Sequence, residues 1–430
     1  MDPLSLKPRT SLELLPPEML CQILQSIADP KTLFNLIRAS PQSFQVFRQF
    51  RSATLCQMTL NFIPAEVLPI AIELLARGRF RGQKLDRDEV AKFLNVFSHP
   101  IPLFDEEFSL ETAIELLSFH KLVKRFMVEF SSERLAIITK YFHPDLSNNI
   151  SINASLTRTE ELRLSRAFYH LELYGLLFRP SHTVRDVTTI TVQSANFLGK
   201  ITEGQLEALL CVRTFLLERL TGFLKKLEED FMEDFLSLGP HPFHNSRSSR
   251  WENNDWFFAE DMFPLLQETW RENCLTRGLY ALRIMFNAST AEDRLNAVGN
   301  TAFQVTTISA ALQLLQEQGT VEESSRETNP DLQTPLTGDE WEICTEAWSW
   351  AQETTHRQVS EARGVKDPHV EGLRRWGYII WDQSRLEDLG VLKLRYVASN
   401  LLSLISLASI VGLTLFSKYT VHVMLQMLVV

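Results

Sequence analysis

The sequence contains none of the short patterns on which catalytic sites are usually built. Its 430 residues hold no Walker loop, no HExxH, no GxSxG and no dinucleotide fingerprint. No nucleophile–base pair stands out either, so the chain is expected not to be an enzyme and to need no cofactor. Cysteine is scarce. The five residues Cys21, Cys56, Cys211, Cys274 and Cys344 form no CxxC and no paired spacing, which excludes a disulfide framework and points to a reducing compartment. Positive charge is in deficit, with 43 Lys and Arg against 53 Asp and Glu and a net charge of −10. No basic run or basic amphipathic helix appears, so nucleic acid is not an expected partner. The opening residues MDPLSLKPRT lack the apolar stretch of a signal peptide, and a cytoplasmic or nuclear location is expected. No repeat of constant period is present, which argues against a solenoid.

What the chain does have is apolar residues at helical spacing. Hydrophobic residues make up 45% and charged ones 22%, the balance of a globular protein. The densest stretch is 12–50, which reads as three short helices, each opened by a proline: Pro17, Pro30 and Pro41. Proline suits the first helical position, where its missing N–H costs nothing and its φ is already set. Asp29 and Ser40 precede the second and third prolines as side-chain caps. Leu20, Ile23, Leu24 and Ile27 form the stripe of the first helix. Leu33, Phe34, Leu36 and Ile37 follow on the second, and Phe44, Phe47 and Phe50 on the third. Forty residues bury too little of their own area to hide all of this. Either the rest of the chain or a second protein covers the remainder.

The pattern Leu15-Pro16-x-Glu18-Met19-Leu20, then Ile23-Leu24, Ile27, Leu33, Leu36-Ile37, Ala39-Ser40 and Phe44, resembles an F-box. The segments 156–178 (LTRTEELRLSRAFYHLELYGLLF) and 373–392 (LRRWGYIIWDQSRLEDLGVL) are similar to recurrent segments of filamentous-fungal proteins with F-box-like N-termini. The resemblance implies a Skp-type adaptor as partner, met by Leu15, Pro16, Leu20, Ile23, Leu24, Leu33 and Leu36. It also implies a body that holds a target protein for a Skp-cullin ubiquitin ligase. The sequence departs from many F-boxes after the serine, with Pro41 and Phe44 in place of a basic residue and a tryptophan. The alternative is a non-catalytic scaffold whose F-box-like helices pack only on their own body.

The expected fold is mainly α: a three-helix module over 1–55, a helical body over 56–392 with loops near 239–254 and 318–339, and a hydrophobic tail over 393–430. Helices are expected over 64–77, from Asp86 through Phe97, and from Leu110 to Phe142 with an interruption at Ser131-Ser132. Capping boxes are expected at Thr157/Glu160, Thr202/Gln205 and Thr337/Glu340. Residues 183–193 are rich in β-branched side chains and read as a strand or an extended loop. Glu228, Glu229, Asp230, Glu233 and Asp234 read as a solvated acidic face, and Trp341 and Trp348 as the buried side of one helix. His241 and His244 lack two further ligands nearby, so no metal site is expected.

Residues 396–417 carry no charge over 22 positions, long enough to span a bilayer. Lys393 and Arg395 flank the run, Tyr396 and Tyr419 suit the two interfaces, and Ser403, Ser406, Ser409 and Gly412 make a small-residue stripe. Three readings stay open: a membrane tail anchor, a buried terminal helix, or a gene-model artefact in which intron sequence is read as protein.

Overall fold

The structure is a computed structural model that describes residues 14–78, 87–97, 110–142, 155–178, 187–237, 270–298, 307–323, 347, 350–351 and 368–391. Every regular element of more than a turn among them is an α-helix, and none is long and apolar enough to cross a membrane. The run 396–417, the loop near 239–254, residues 324–339 of the loop expected over 318–339, Trp341, Trp348, Thr337, His241 and His244 lie outside the described residues; 318–323 of that expected loop instead continue the helix Ile308–Glu323. Packing divides the chain into two units. The first takes residues 1–84 and 99–125, the second 85–98 and 126–430, so the division falls inside one helix.

The first unit begins with α1 (Pro17–Ser26), α2 (Pro30–Ala39) and α3 (Pro41–Gln49), each started by the expected proline. The caps form as expected. The Asp29 carboxylate accepts from the Thr32 amide at 2.8 Å and the Thr32 hydroxyl at 2.7 Å, and Ser40 Oγ accepts from the Ser43 amide at 3.3 Å. Then come α4 (Arg51–Phe62), α5 (Leu68–Gly78) and the first turns of α7 (Leu110–Phe142). The apolar core joins Leu20, Leu24, Leu33 and Val46 to Leu55, Met58, Ala113 and Leu117. A boundary at residue 55 therefore does not coincide with a break in packing: α4 and α7 supply the lid that three short helices cannot supply themselves. Gln42 Nε2 donating to the Leu15 carbonyl (3.1 Å) and Asn61 Nδ2 to that of Gln25 (2.8 Å) tie both ends of α1 to its neighbours.

The second unit comprises α6 (Arg87–Val96), α7 from Phe126, α8 (Arg158–Leu177), α9 (Val187–Gly199), α10 (Glu203–Ser237), α11 (Leu279–Asn287), α12 (Ala291–Val298), α13 (Ile308–Glu323), α14 (Pro368–Trp376) and α15 (Gln383–Asp388). Helix α10, 35 residues long, packs on α8, α11, α12 and α14, while α9 packs on α6 and α13. Two expectations fail here for identifiable reasons. The helix α7 runs unbroken through Ser131, whose hydroxyl is satisfied by the Val128 carbonyl at 3.0 Å within the same helix. The β-branched run beginning at Val187 is helical, because Ile190, Ser194, Phe197 and Leu198 are buried at helical spacing and that packing outweighs propensity.

Charges hold α10 in place. Glu207 takes a bidentate pair from Arg374 at 2.7 and 3.0 Å, both side chains buried. Arg213 pairs with Glu272 and donates to the Ser309 hydroxyl at 2.7 Å. Glu218 meets Arg134 and Arg375, each at 2.7 Å, and Arg219 meets Glu129. Asp230, expected on a solvated face, is instead gripped by Arg294 at 2.6 and 2.7 Å. The segments 156–178 and 373–391 lie against each other. The Thr157/Glu160 capping box closes, and Glu160 also takes Arg385 at 2.7 and 2.8 Å and the Asp382 amide at 3.0 Å. Asp382 in turn takes the Thr159 hydroxyl at 2.7 Å and Arg163 at 3.0 Å. The box at Thr202 stays open, its buried hydroxyl making no hydrogen bond among the described residues. Gly377, at φ 73, brings the chain so close to Phe130 that a Cβ would lie 2.7 Å from its ring.

Burial opposes the Arg374 charge, but the Glu207 carboxylate more than offsets it and holds the guanidinium above its ordinary pKa. Truncating one member leaves the other charged and unpaired inside, so Glu207→Ala is expected to cost about 3–5 kcal/mol in urea denaturation. Joint replacement by Leu at 207 and Met at 374 is expected to cost far less. Equal losses would show that the pair is not buried as described.

Candidate docking site

The three opening helices are too short to bury more than one stripe each. On α1 that stripe is Leu20 and Leu24, both with 0% of their surface exposed; on α2 it is Leu33, at 3%. These three were expected to touch the adaptor and instead form the unit's own core, a correction that follows from their i, i+4 spacing toward α3 and α4. Of the other expected contacts, Leu15, Ile23 and Leu36 are half-buried and Pro16 is exposed. Leu15 and Leu36 pack against the edge of the same core. The seven residues therefore do not present one common face.

A different set faces outward. Phe34 is 57% exposed, Phe44 50% and Met19 48%, and Leu14 and Phe50 are exposed as well. Each of Met19, Phe34 and Phe44 sits one residue from a buried position (Leu20, Leu33, Ser43), about 100° around its helix. Five of the nine large apolar side chains exposed among the described residues fall within 14–50. Scattered exposed leucines mean little, but such a concentration on one small module makes it the candidate docking surface. Full burial of one phenylalanine is worth about 1.5–3 kcal/mol. The Arg38 guanidinium lies 5.4 Å from the Phe34 ring centroid, so the ring already has a cation over one face.

Among the described residues no cluster of His, Cys, Asp or Glu could hold a metal ion. The half-buried thiol of Cys56 is pushed up by burial, away from the reactive thiolate. Asp29 lies below the usual carboxylate range because the Thr32 hydroxyl and amide donate to it, which is capping chemistry. Comparison with protein-family models, curated proteins and solved structures returns no match. The signal in the sequence for Met19 and Phe34 was a second apolar residue beside each core position; Phe44, whose buried neighbour is Ser43, gave no such signal. Composition alone does not say which of two neighbours turns inward.

His120 supports this unit from below. Its imidazole is buried edge-on to the Phe62 ring, with centroids 5.3 Å apart, and Lys124 Nζ lies 4.6 Å from the centre of that ring. Burial, with the Lys124 charge adding to it, pushes the His120 pKa from 6.5 down to about 3. The unfolded chain thus takes up a proton that the folded one refuses. This contribution to stability is complete above pH 6.5 and is lost as the pH falls toward 3, at about 1.4 kcal/mol per pH unit. Chemical denaturation at a series of pH values from about 7.5 to 4.5 is expected to show this decline, and His120→Leu to flatten its share. A His120→Leu profile parallel to wild type would contradict the assignment.

Proposed function

We propose that the chain is an F-box-like substrate receptor that links a target protein to a Skp-cullin ubiquitin ligase. Residues 14–50 dock on a Skp-type adaptor, and the helical body holds the target. The receptor performs no bond chemistry; it raises the effective concentration of the target beside the ligase. The observation that carries this reading is the outward set Met19, Phe34 and Phe44, left uncovered after Leu20, Leu24 and Leu33 have closed the module's core. The docking residues are therefore reassigned from the inward leucines to these outward neighbours, with Pro16 and the half-buried Leu15, Ile23 and Leu36 at their margin.

A second reading, a scaffold protein whose F-box-like helices serve only as a packed cap, draws on the extension of that core into Leu55, Met58, Ala113 and Leu117. Deleting residues 1–55 does not separate the two, because it removes Leu55 and exposes Met58, Ala113 and Leu117 under either reading. Surface substitution does. The full-length chain is expected to co-purify with a recombinant fungal Skp-type adaptor, and the combined Met19→Ser, Phe34→Ser and Phe44→Ser variant to lose at least about tenfold in affinity. Its melting temperature is expected to stay close to wild type. A wild-type chain that never captures the adaptor, or a variant that captures it equally well, would favour the scaffold.

A further inference from the structure

The outward phenylalanines are accompanied by arginines at a repeated spacing. Phe34 precedes Arg38 by four residues within α2, and Phe44 precedes Arg48 by four within α3; Arg51 follows as the first residue of α4. In a helix this spacing sets the two side chains on one face, one turn apart. The contact is direct in α2, where Arg38 lies over the Phe34 ring at 5.4 Å. Arg38, Arg48, Arg51 and Lys31 are all exposed. Opposite them stand only two carboxylates within 14–62, Glu18 and Asp29, and Asp29 is engaged by the Thr32 amide and hydroxyl. The sign of charge is thus reversed locally: four cations face two anions here, in a chain whose net charge is −10.

We propose that the surface received by this face is acidic, with carboxylates bordering its apolar pockets, and that Arg38, Arg48 and Arg51 select it. The proposal rests on the docking reading above and adds to it the chemistry of the partner. Apolar contact alone distinguishes poorly between greasy surfaces. Exposed guanidiniums on the same module reject basic and neutral ones and steer an acidic one during diffusion. Arginine suits the role better than lysine at contact distance, because its planar fork takes a carboxylate through two hydrogen bonds. The steering itself needs only the charge. The arginines therefore act mainly on the rate of association, and Met19, Phe34 and Phe44 on the rate of dissociation.

The test measures association of the full-length chain with a recombinant fungal Skp-type adaptor by surface plasmon resonance, from about 50 to 500 mM NaCl, a range over which the screening length shrinks severalfold. Wild type is expected to associate about tenfold more slowly at the upper end, with dissociation changed far less. The Arg38→Gln, Arg48→Gln, Arg51→Gln variant is expected to associate slowly at every salt concentration. The matching lysine variant should recover most of the low-salt rate, which guards against a folding defect. Binding that ignores salt, or a glutamine variant as fast as wild type, would overturn the acidic-partner proposal and leave the docking reading standing. No binding of the adaptor at any salt concentration would overturn both.

Discussion

A helix of nine or ten residues can turn one stripe of side chains inward, and the first unit is shaped by that limit. Its three opening helices carry apolar residues around more than one side. Leu20, Leu24, Leu33 and Val46 use the interior that α4 and the start of α7 enclose. Their neighbours Met19, Phe34 and Phe44 are then forced outward by helix geometry, whatever their hydrophobicity. A module that has completed its own core thus still displays surface that water disfavours. The proposed docking reading draws on that exposed apolar surface.

The second unit solves a different problem with different means. Helix α10 is a 35-residue rod, and apolar stripes alone allow such rods to slide by a turn. Paired charges spaced along it, at Glu207, Arg213, Glu218, Arg219 and Asp230, fix its register against segments far away in sequence. Around Glu160 and Asp382 a second set of pairs joins the start of α8 to the turn before α15. Pairs of this kind, buried at Glu207 and partly buried at Arg213, Glu218 and Arg219, add little net stability over apolar packing, but a shifted register would leave each charge alone. The body is thus specified in its alignment as well as folded.

Much of this was legible in the sequence, and the reasons differ by element. The prolines and caps at Pro17, Asp29-Pro30 and Ser40-Pro41 announce helix starts through local chemistry, and α1 to α3 begin there. The Thr157/Glu160 box is equally local and forms as expected. Features decided by distant residues were not legible. Val187 to Gly199 is helical because partners on α6 and α13 accept its buried side, against its own propensity. Asp230 looked like one of several solvated carboxylates until Arg294, 64 residues later, arrived beside it. For the candidate site, the module was visible but the facing of its helices was not. Spacing alone cannot tell Leu20 from Met19 or Leu33 from Phe34 until α4 and α7 show where the inside is.

The central claim is that the opening helices carry two separate apolar sets, an inward one that holds the fold and an outward one that the fold does not need. Equilibrium urea denaturation of single alanine variants of the full-length chain tests it most directly. Leu20→Ala and Leu24→Ala are expected to destabilise the first unit by about 2–5 kcal/mol each, as core leucines do, and Phe34→Ala and Phe44→Ala by no more than about 0.5 kcal/mol. Phenylalanine variants as damaging as the leucine ones would contradict the account, because the outward set would then be part of the core.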